Sequence, residues 1–229
     1  MTPPPLILAS ASPRRQALLR AGGVDFALRI SGVDEAAFAT GTPLAVAVKT
    51  AFAKAEAVAA QVQGEVPRET LILAADTIVV LGDEVFGKPS DRAEARSMLQ
   101  RLAGRTHTVI TGLALQQVQG EALLEAVSAD VTFNALSDDF VSEYLASGEA
   151  DDKAGAYGIQ GLGAHLVAAV EGDLTGVIGL PLGRLRDFYR QFTGRPLFTA
   201  QSPRQVALAA FADLTLLPTA CLAGIPDSD

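Results

Sequence analysis

Cysteine, histidine and lysine are scarce in this chain, and each scarcity removes a class of chemistry. Its 229 residues include one cysteine, Cys221, and two histidines, His107 and His165. A lone cysteine forms no intrachain disulfide and agrees with a reducing compartment. With so few sulfur and nitrogen ligands a zinc cluster is not expected, and each histidine reads as a packed strand residue rather than a catalyst. Long apolar runs are lacking too. The start, Met1-Thr2-Pro3-Pro4-Pro5, has no basic n-region, and the run Leu6 to Ala9 ends at Ser10 and Ser12, so no targeting segment is expected. Val206 to Ala223 contains Asp213 and Pro218 and reads as a packed tail, not a membrane span. A soluble, cytoplasmic protein is expected. Positive charge is in deficit: 18 Lys+Arg against 26 Asp+Glu give a net charge of −8 and a pI near 4.8. That balance argues against a nucleic-acid polymer or a membrane surface as partner. Also missing are a Gly-x-x-x-x-Gly-Lys-Ser/Thr loop, a strand-linked Gly-x-Gly-x-x-Gly fingerprint and a Gly-x-Ser-x-Gly elbow.

What is present is enough for a packed core. Hydrophobic residues make up 49% and mean hydropathy is +0.28, which excludes a disordered chain. The length suits one large domain or a two-lobed single fold. Strand-like and helix-like periods alternate, as in an α/β or mixed α+β protein. Strands are expected at Leu6 to Ala9, Phe26 to Ile30, Leu71 to Leu81 and His165 to Val170. His107 to Val118 and Ala122 to Phe133 should form a hairpin through Gly120. Ser12-Pro13 opens a helix with Ser as N-cap, stopping at Gly22-Gly23. Thr42-Pro43 opens another, to about Val62, with Val48, Phe52, Ala55 and Ala59 on one face. Further helices are expected at Asp91 to Leu102, Asp138 to Ala146, Leu182 to Phe192 and Pro203 to Phe211, with a Gly-rich loop at Ala154 to Gly163.

Four features carry chemistry. Arg14 and Arg15 sit in the first turn of a helix, where cations are ordinarily unfavourable by about 0.3–1 kcal/mol. With free amides and the hydroxyls of Ser10 or Ser12, that arrangement suits a polyanion; two arginines paired with nearby carboxylates are the alternative. Asp76 lies in an apolar strand and must be compensated, as a cap on a bulge or as a base or metal ligand at a strand end; no structural partner is evident nearby in the sequence. The 18 cations comprise only four lysines: Lys49, Lys54, Lys88 and Lys153. A compact ammonium suits a crowded phosphate site, although surface solvation explains at least one of them. Lys49 and Lys54 are five residues apart and should not face one pocket. The Gly-rich loop carries Gln160, which offers the donor and acceptor that a base edge requires. Glu35 and Asp76, with these cations, suggest magnesium-assisted chemistry on a phosphate chain.

The ordered set of motifs resembles the Maf family of nucleoside triphosphate pyrophosphatases, relatives of the inosine triphosphate pyrophosphatases. The matching residues are Leu8-Ala9-Ser10-Ala11-Ser12-Pro13-Arg14-Arg15, Asp34-Glu35, Lys54-Ala55, Ala75-Asp76-Thr77, Gly87-Lys88-Pro89, Leu102 to His107, Asp152 to Gly161 and Val177 to Leu182. The resemblance covers Leu6 to about Phe192. It implies a mixed α/β, two-lobed fold with a twisted mixed sheet around a central cleft. It also implies a homodimer that hydrolyses a nucleoside triphosphate to monophosphate and pyrophosphate in a house-cleaning role. Carried over by position, Asp76 would accept a proton or hold the attacking water. Glu35, with Asp76, would bind Mg²⁺ or Mn²⁺, and Ser10, Arg14, Arg15, Lys54 and Lys88 would line the triphosphate. Arg14, Thr77 and Gln160 resemble the specificity residues of the dTTP/UTP branch. The same reaction on 7-methyl-GTP, or a non-catalytic nucleotide-binding regulator of septum formation, are the alternatives. Two departures stand out: Ala53, where family members often carry a charge, and the tail. Residues 1–194 would form the catalytic domain and 195–229 an extension of unknown role.

Overall fold

The computed structural model describes residues 3–198 and 201–223. The first two residues of the start, and residues 199–200 and 224–229 of the extension, lie outside the described residues. The elements follow in the order β1 (Leu6–Leu8), α1 (Pro13–Ala21), β2 (Ala27–Leu28), α2 (Pro43–Val62), β3 (Leu71–Leu81), β4 (Glu84–Phe86), α3 (Arg92–Leu102), β5 (Thr106–Gln117), β6 (Ala122–Phe133), α4 (Asp138–Ala146), β7 (Val167–Gly172), α5 (Leu174–Ile178), α6 (Leu182–Thr193), α7 (Pro203–Ala210) and α8 (Thr219–Leu222). Short 3-10 turns stand at Glu35–Phe38, Ala154–Ala156, Gly161–Leu166 and Ala212–Leu216.

Seven strands form one mixed sheet in the order β2-β1-β3-β5-β6-β7, with β4 also paired to β3. β1 is parallel to β2 and β3; the other pairings are antiparallel. Alternation along β3 divides its side chains between two layers. Ile72 and Ala74 pack beneath α2, and Ile78 and Val80 beside Ala47 of the same helix. Leu71, Leu73, Ala75 and Val79 face the larger core on the other side. α2 seats closely because Gly112 of β5 leaves room for it: a Cβ there would lie 2.1 Å from the Ala47 carbonyl oxygen. Gly112 is also the residue paired with Asp76.

β3 explains where a cleft opens. β5 covers one of its edges along residues 71–80. The other edge is divided, with β1 paired at 71–73 and β4 at 79–81. Residues 74–78 have no strand beside them on that edge. The loops after β1 and β4 border the gap, the position at which open α/β sheets receive ligands.

Several local expectations are corrected. β2 is only two residues long and exposed. Val48 and Phe52 are half-buried; the buried face of α2 is built on Ala47, Ala51, Ala55, Val58, Ala59 and Val62. Ser12 stands at the N-cap of α1 but its hydroxyl caps nothing. The Gly-rich stretch is two 3-10 turns rather than an open loop. His165 lies exposed in the second of them, ahead of β7, so it is not a packed strand residue. No helix among the described residues is long and apolar enough to cross a membrane.

Candidate active site

Asp76 is in the middle of β3, not at its end, and it does have a partner. It occupies the uncovered stretch and points to the α2 side, in line with Ala74 and Ile78. Lys54 projects from the buried face of α2 and places its Nζ 2.6 Å from Asp76 Oδ1. The same ammonium lies 2.8 Å from Glu35 Oε1, in the 3-10 turn that Asp34 caps by accepting from the Ala36 amide at 3.1 Å. Lys54 is 8% exposed and Asp76 7%. A buried ammonium is tolerated because two carboxylates compensate it. Glu35 is more open. Burial pushes its carboxyl up, but the Lys54 hydrogen bond and the charges of Lys54, Lys88 and Arg15 outweigh that and hold it below the ordinary value.

Thr77, next along the strand, points to the opposite layer. Its Oγ1 lies 2.8 Å from Thr111 Oγ1 and accepts from Arg15 Nη2 at 3.2 Å. Arg15 also donates to Ser10 Oγ at 3.1 Å and to the Gly179 carbonyl at 2.7 Å. One guanidinium therefore ties together the loop after β1, the centre of β3 and the turn after α5. Burial pulls it down to about 10 against the opposing field of Asp76, so it stays charged at neutral pH. Burial lowers Arg14 as well, with Asp152, 3.7 Å away, acting in the other direction.

The remaining wall comes from the segment after α4. Lys153 pairs with Asp152 at 2.7 Å. Tyr157 lines the cleft and meets His107 Nε2 through its hydroxyl at 2.7 Å. His107, Phe133 and Tyr157 pack edge to face, with centroids 4.7–5.3 Å apart. Burial lowers His107 to about 4, so it is a neutral part of this cluster at pH 7. Lys88, in the loop after β4, has no hydrogen-bonding or ion-pair partner among the described residues. Gln160 Nε2 is buried without a partner among the described residues, although its side chain lines the cleft.

The cleft is a cavity of about 450 Å³. It brings together the residues to which the resemblance gives a role: Ser10, Arg14, Arg15, Glu35, Lys54, Asp76, Thr77, Lys88 and Gln160. Lys153, one of the four lysines but given no role, lines it too, with Asp152 and Tyr157. Lys49 is exposed and does not, as the angle from Lys54 requires. Five cations against three carboxylates leave this cavity positive in a chain whose net charge is −8. Such an excess favours an anion carrying several charges.

Among the described residues no group of three or more His, Cys, Asp or Glu could hold a metal ion. Glu35 and Asp76 are a pair, each with one oxygen on Lys54. Two carboxylates suit Mg²⁺ or Mn²⁺ when phosphate oxygens and water complete the shell. The donor set thus fits a hard cation that arrives with a phosphate ligand.

A cleft with these features marks an α/β protein whose site suits a multiply charged anion, and comparison with known families narrows the class. The model of the family described as Maf-like protein matches residues 5–192, and the chain belongs to the Maf family. It is 48% identical over 195 residues to a dTTP/UTP pyrophosphatase of Symbiobacterium thermophilum, covering 85% of this chain and 96% of that one. A dTTP/UTP pyrophosphatase of Clostridioides difficile is 40% identical over 194 residues, covering 84% and 97%. A third, of Moorella thermoacetica, is 46% identical over 188 residues, covering 82% and 94%. Among solved structures, a HAM1 protein from Coxiella burnetii aligns with a TM-score of 0.38 and 18% identity, covering 57% of this chain and 73% of that one.

Proposed function

We propose that this chain hydrolyses dTTP and UTP to the monophosphate and pyrophosphate, a house-cleaning activity supported by a divalent metal. The observation that carries the reading is the positive cavity, in which Arg14, Lys88 and Lys153 line the same cleft as the Asp76–Lys54–Glu35 chain. The names of the relatives support the choice of substrate.

In this reading the cations hold the triphosphate and neutralise its charge as the α–β bridge breaks. Asp76, with Oδ1 fixed by Lys54, orients a water and accepts its proton. The water oxygen bonds to the α-phosphorus, the bridging P–O bond cleaves, and pyrophosphate departs with the bonding pair. Glu35 and Asp76 would hold Mg²⁺ or Mn²⁺, which when bound polarises phosphate oxygens and screens the leaving group. Ser10 and Arg15 shape the floor of the site rather than reach freely, since Arg15 bonds Ser10, Thr77 and Gly179.

Base choice falls to the Gln160 side of the cavity. An amide can donate to O4 and accept from N3–H of uracil or thymine, and Gln160 Nε2 has no partner among the described residues. Arg14 stands across the same cavity. Thr77 contributes through Arg15, whose position its hydroxyl helps to set. The reading includes a homodimer and a cytoplasmic location.

The test is product analysis with a panel of nucleotides, including 7-methyl-GTP, in Mg²⁺ or Mn²⁺. dTTP and UTP should give monophosphate and pyrophosphate, and chelation should stop the reaction. Orthophosphate as first product, or preference for 7-methyl-GTP, would contradict the reading.

A further inference from the structure

We infer that the C-terminal extension is a strap that positions two walls of the cavity, with Asp213 as its positioning residue on the Gln160 turn. The inference rests on the reading of Gln160 as a base-contacting group.

The family match stops at residue 192, yet described residues beyond it are built into the body. Phe198, Val206, Ala207 and Leu214 are buried in the larger core. α7 packs on α1, the helix whose first turn carries Arg14 and Arg15. At the other end of α1, the Phe198 ring closes over Gly22, where a Cβ would lie 2.5 Å from Phe198 Cε1. The turn Ala212–Leu216 packs on Gly161–Leu166, the turn that begins at Gln160.

That second contact is specific. Gln160 is the N-cap of its turn, the position from which a side chain commonly satisfies the first free amides. It makes no such bond. Instead the Gly161 amide donates to Asp213 Oδ2, the Leu162 amide to Glu149 Oε1 at 3.1 Å and the Gly163 amide to Glu149 Oε2 at 3.2 Å. Two carboxylates thus satisfy three successive amides, and the Gln160 side chain lines the cavity, its buried Nε2 without a partner among the described residues. Glu149 lies inside the family match and Asp213 outside it. Gly161 is in the left-handed region, φ +61°, so the backbone reverses where Asp213 holds it. Without that acceptor the Gly161 amide is unsatisfied, and the direction of Gln160 is no longer fixed.

The experiment compares wild type, Asp213→Ala and Asp213→Asn by two readouts. The first, amide hydrogen exchange over residues 158–163, needs no substrate. It should be at least about tenfold faster in Asp213→Ala, with Asp213→Asn, which keeps an acceptor oxygen, falling between. The second is steady-state hydrolysis of dTTP and dGTP. Asp213→Ala should raise KM for dTTP about five- to tenfold, change kcat less than about twofold and narrow the preference for dTTP. Unchanged exchange in a folded variant overturns the strap, and so does a fall in kcat at constant KM. If Asp213→Ala does not fold, wild-type exchange and KM in Asp213→Asn overturn it. A wild-type protein inactive on dTTP and UTP overturns the functional reading instead, while the exchange arm still decides whether Asp213 holds the turn.

Discussion

Replacing Lys54 with methionine removes the charge between Asp76 and Glu35 while nearly preserving the volume on the buried face of α2. Glu35, with a side chain 48% exposed, can rehydrate at little cost. Asp76, 7% exposed, cannot. Breaking a buried pair by removing one partner typically costs about 3–5 kcal/mol, because the remaining charge is uncompensated. A loss of that size is expected for Lys54→Met in urea unfolding at pH 7. Lys54→Met/Asp76→Asn, with neither charge, should recover much of the loss. A single variant within about 1 kcal/mol of wild type at pH 7 would refute the compensation by Lys54.

Stability should also depend on pH through His107. Its folded value is depressed to about 4, so the unfolded chain binds the proton first, and stability, complete above about pH 6.5, declines as pH falls to about 4, by about 3 kcal/mol. His107→Gln, which does not titrate, should flatten that part of the urea-unfolding profile; an unchanged slope contradicts the assignment. Gly112→Ala should destabilise by about 3 kcal/mol or more, since its Cβ would lie 2.1 Å from the backbone oxygen of Ala47. A melting temperature equal to wild type would show that α2 is not seated there. Gln160→Glu should lower kcat/KM for dTTP by roughly 100-fold, because a carboxylate cannot donate to O4; retained activity in the nucleotide panel would exclude Gln160 as the base reader.

The framework was legible where periodicity was strong and long. β3 and α4 have the expected bounds, and the β5–β6 hairpin begins and ends within a residue of expectation. Alanine-rich α2 was legible as a helix, but its buried face was not. Small residues occur on both sides of it, and the close approach of its backbone to Gly112 at Ala47 turns Ala47 and Ala51 inward rather than the larger Val48 and Phe52. The short elements β4 and α5 are held by pairing and by the Asp173 cap, signals too local to stand out. The residues of the site were legible from chemistry that contradicts its local setting: arginines at a helix start, an aspartate in an apolar strand, lysines retained among arginines. Their partnerships were not. Lys54 meets Asp76 across 22 positions and Asp213 meets Gly161 across 52, so only the folded chain joins them.

In the proposed reaction Asp76 performs the chemistry while the cations grip the triphosphate. Calorimetric titration of Asp76→Asn with dTTP and Mg²⁺, combined with pyrophosphate detection on the same sample, tests both halves at once. Asparagine leaves Lys54 paired to Glu35 and the rest of the positive cavity intact. The account predicts dTTP binding within about tenfold of the wild-type KM and no pyrophosphate above background. Sustained pyrophosphate release, or loss of binding in a folded variant, would contradict it.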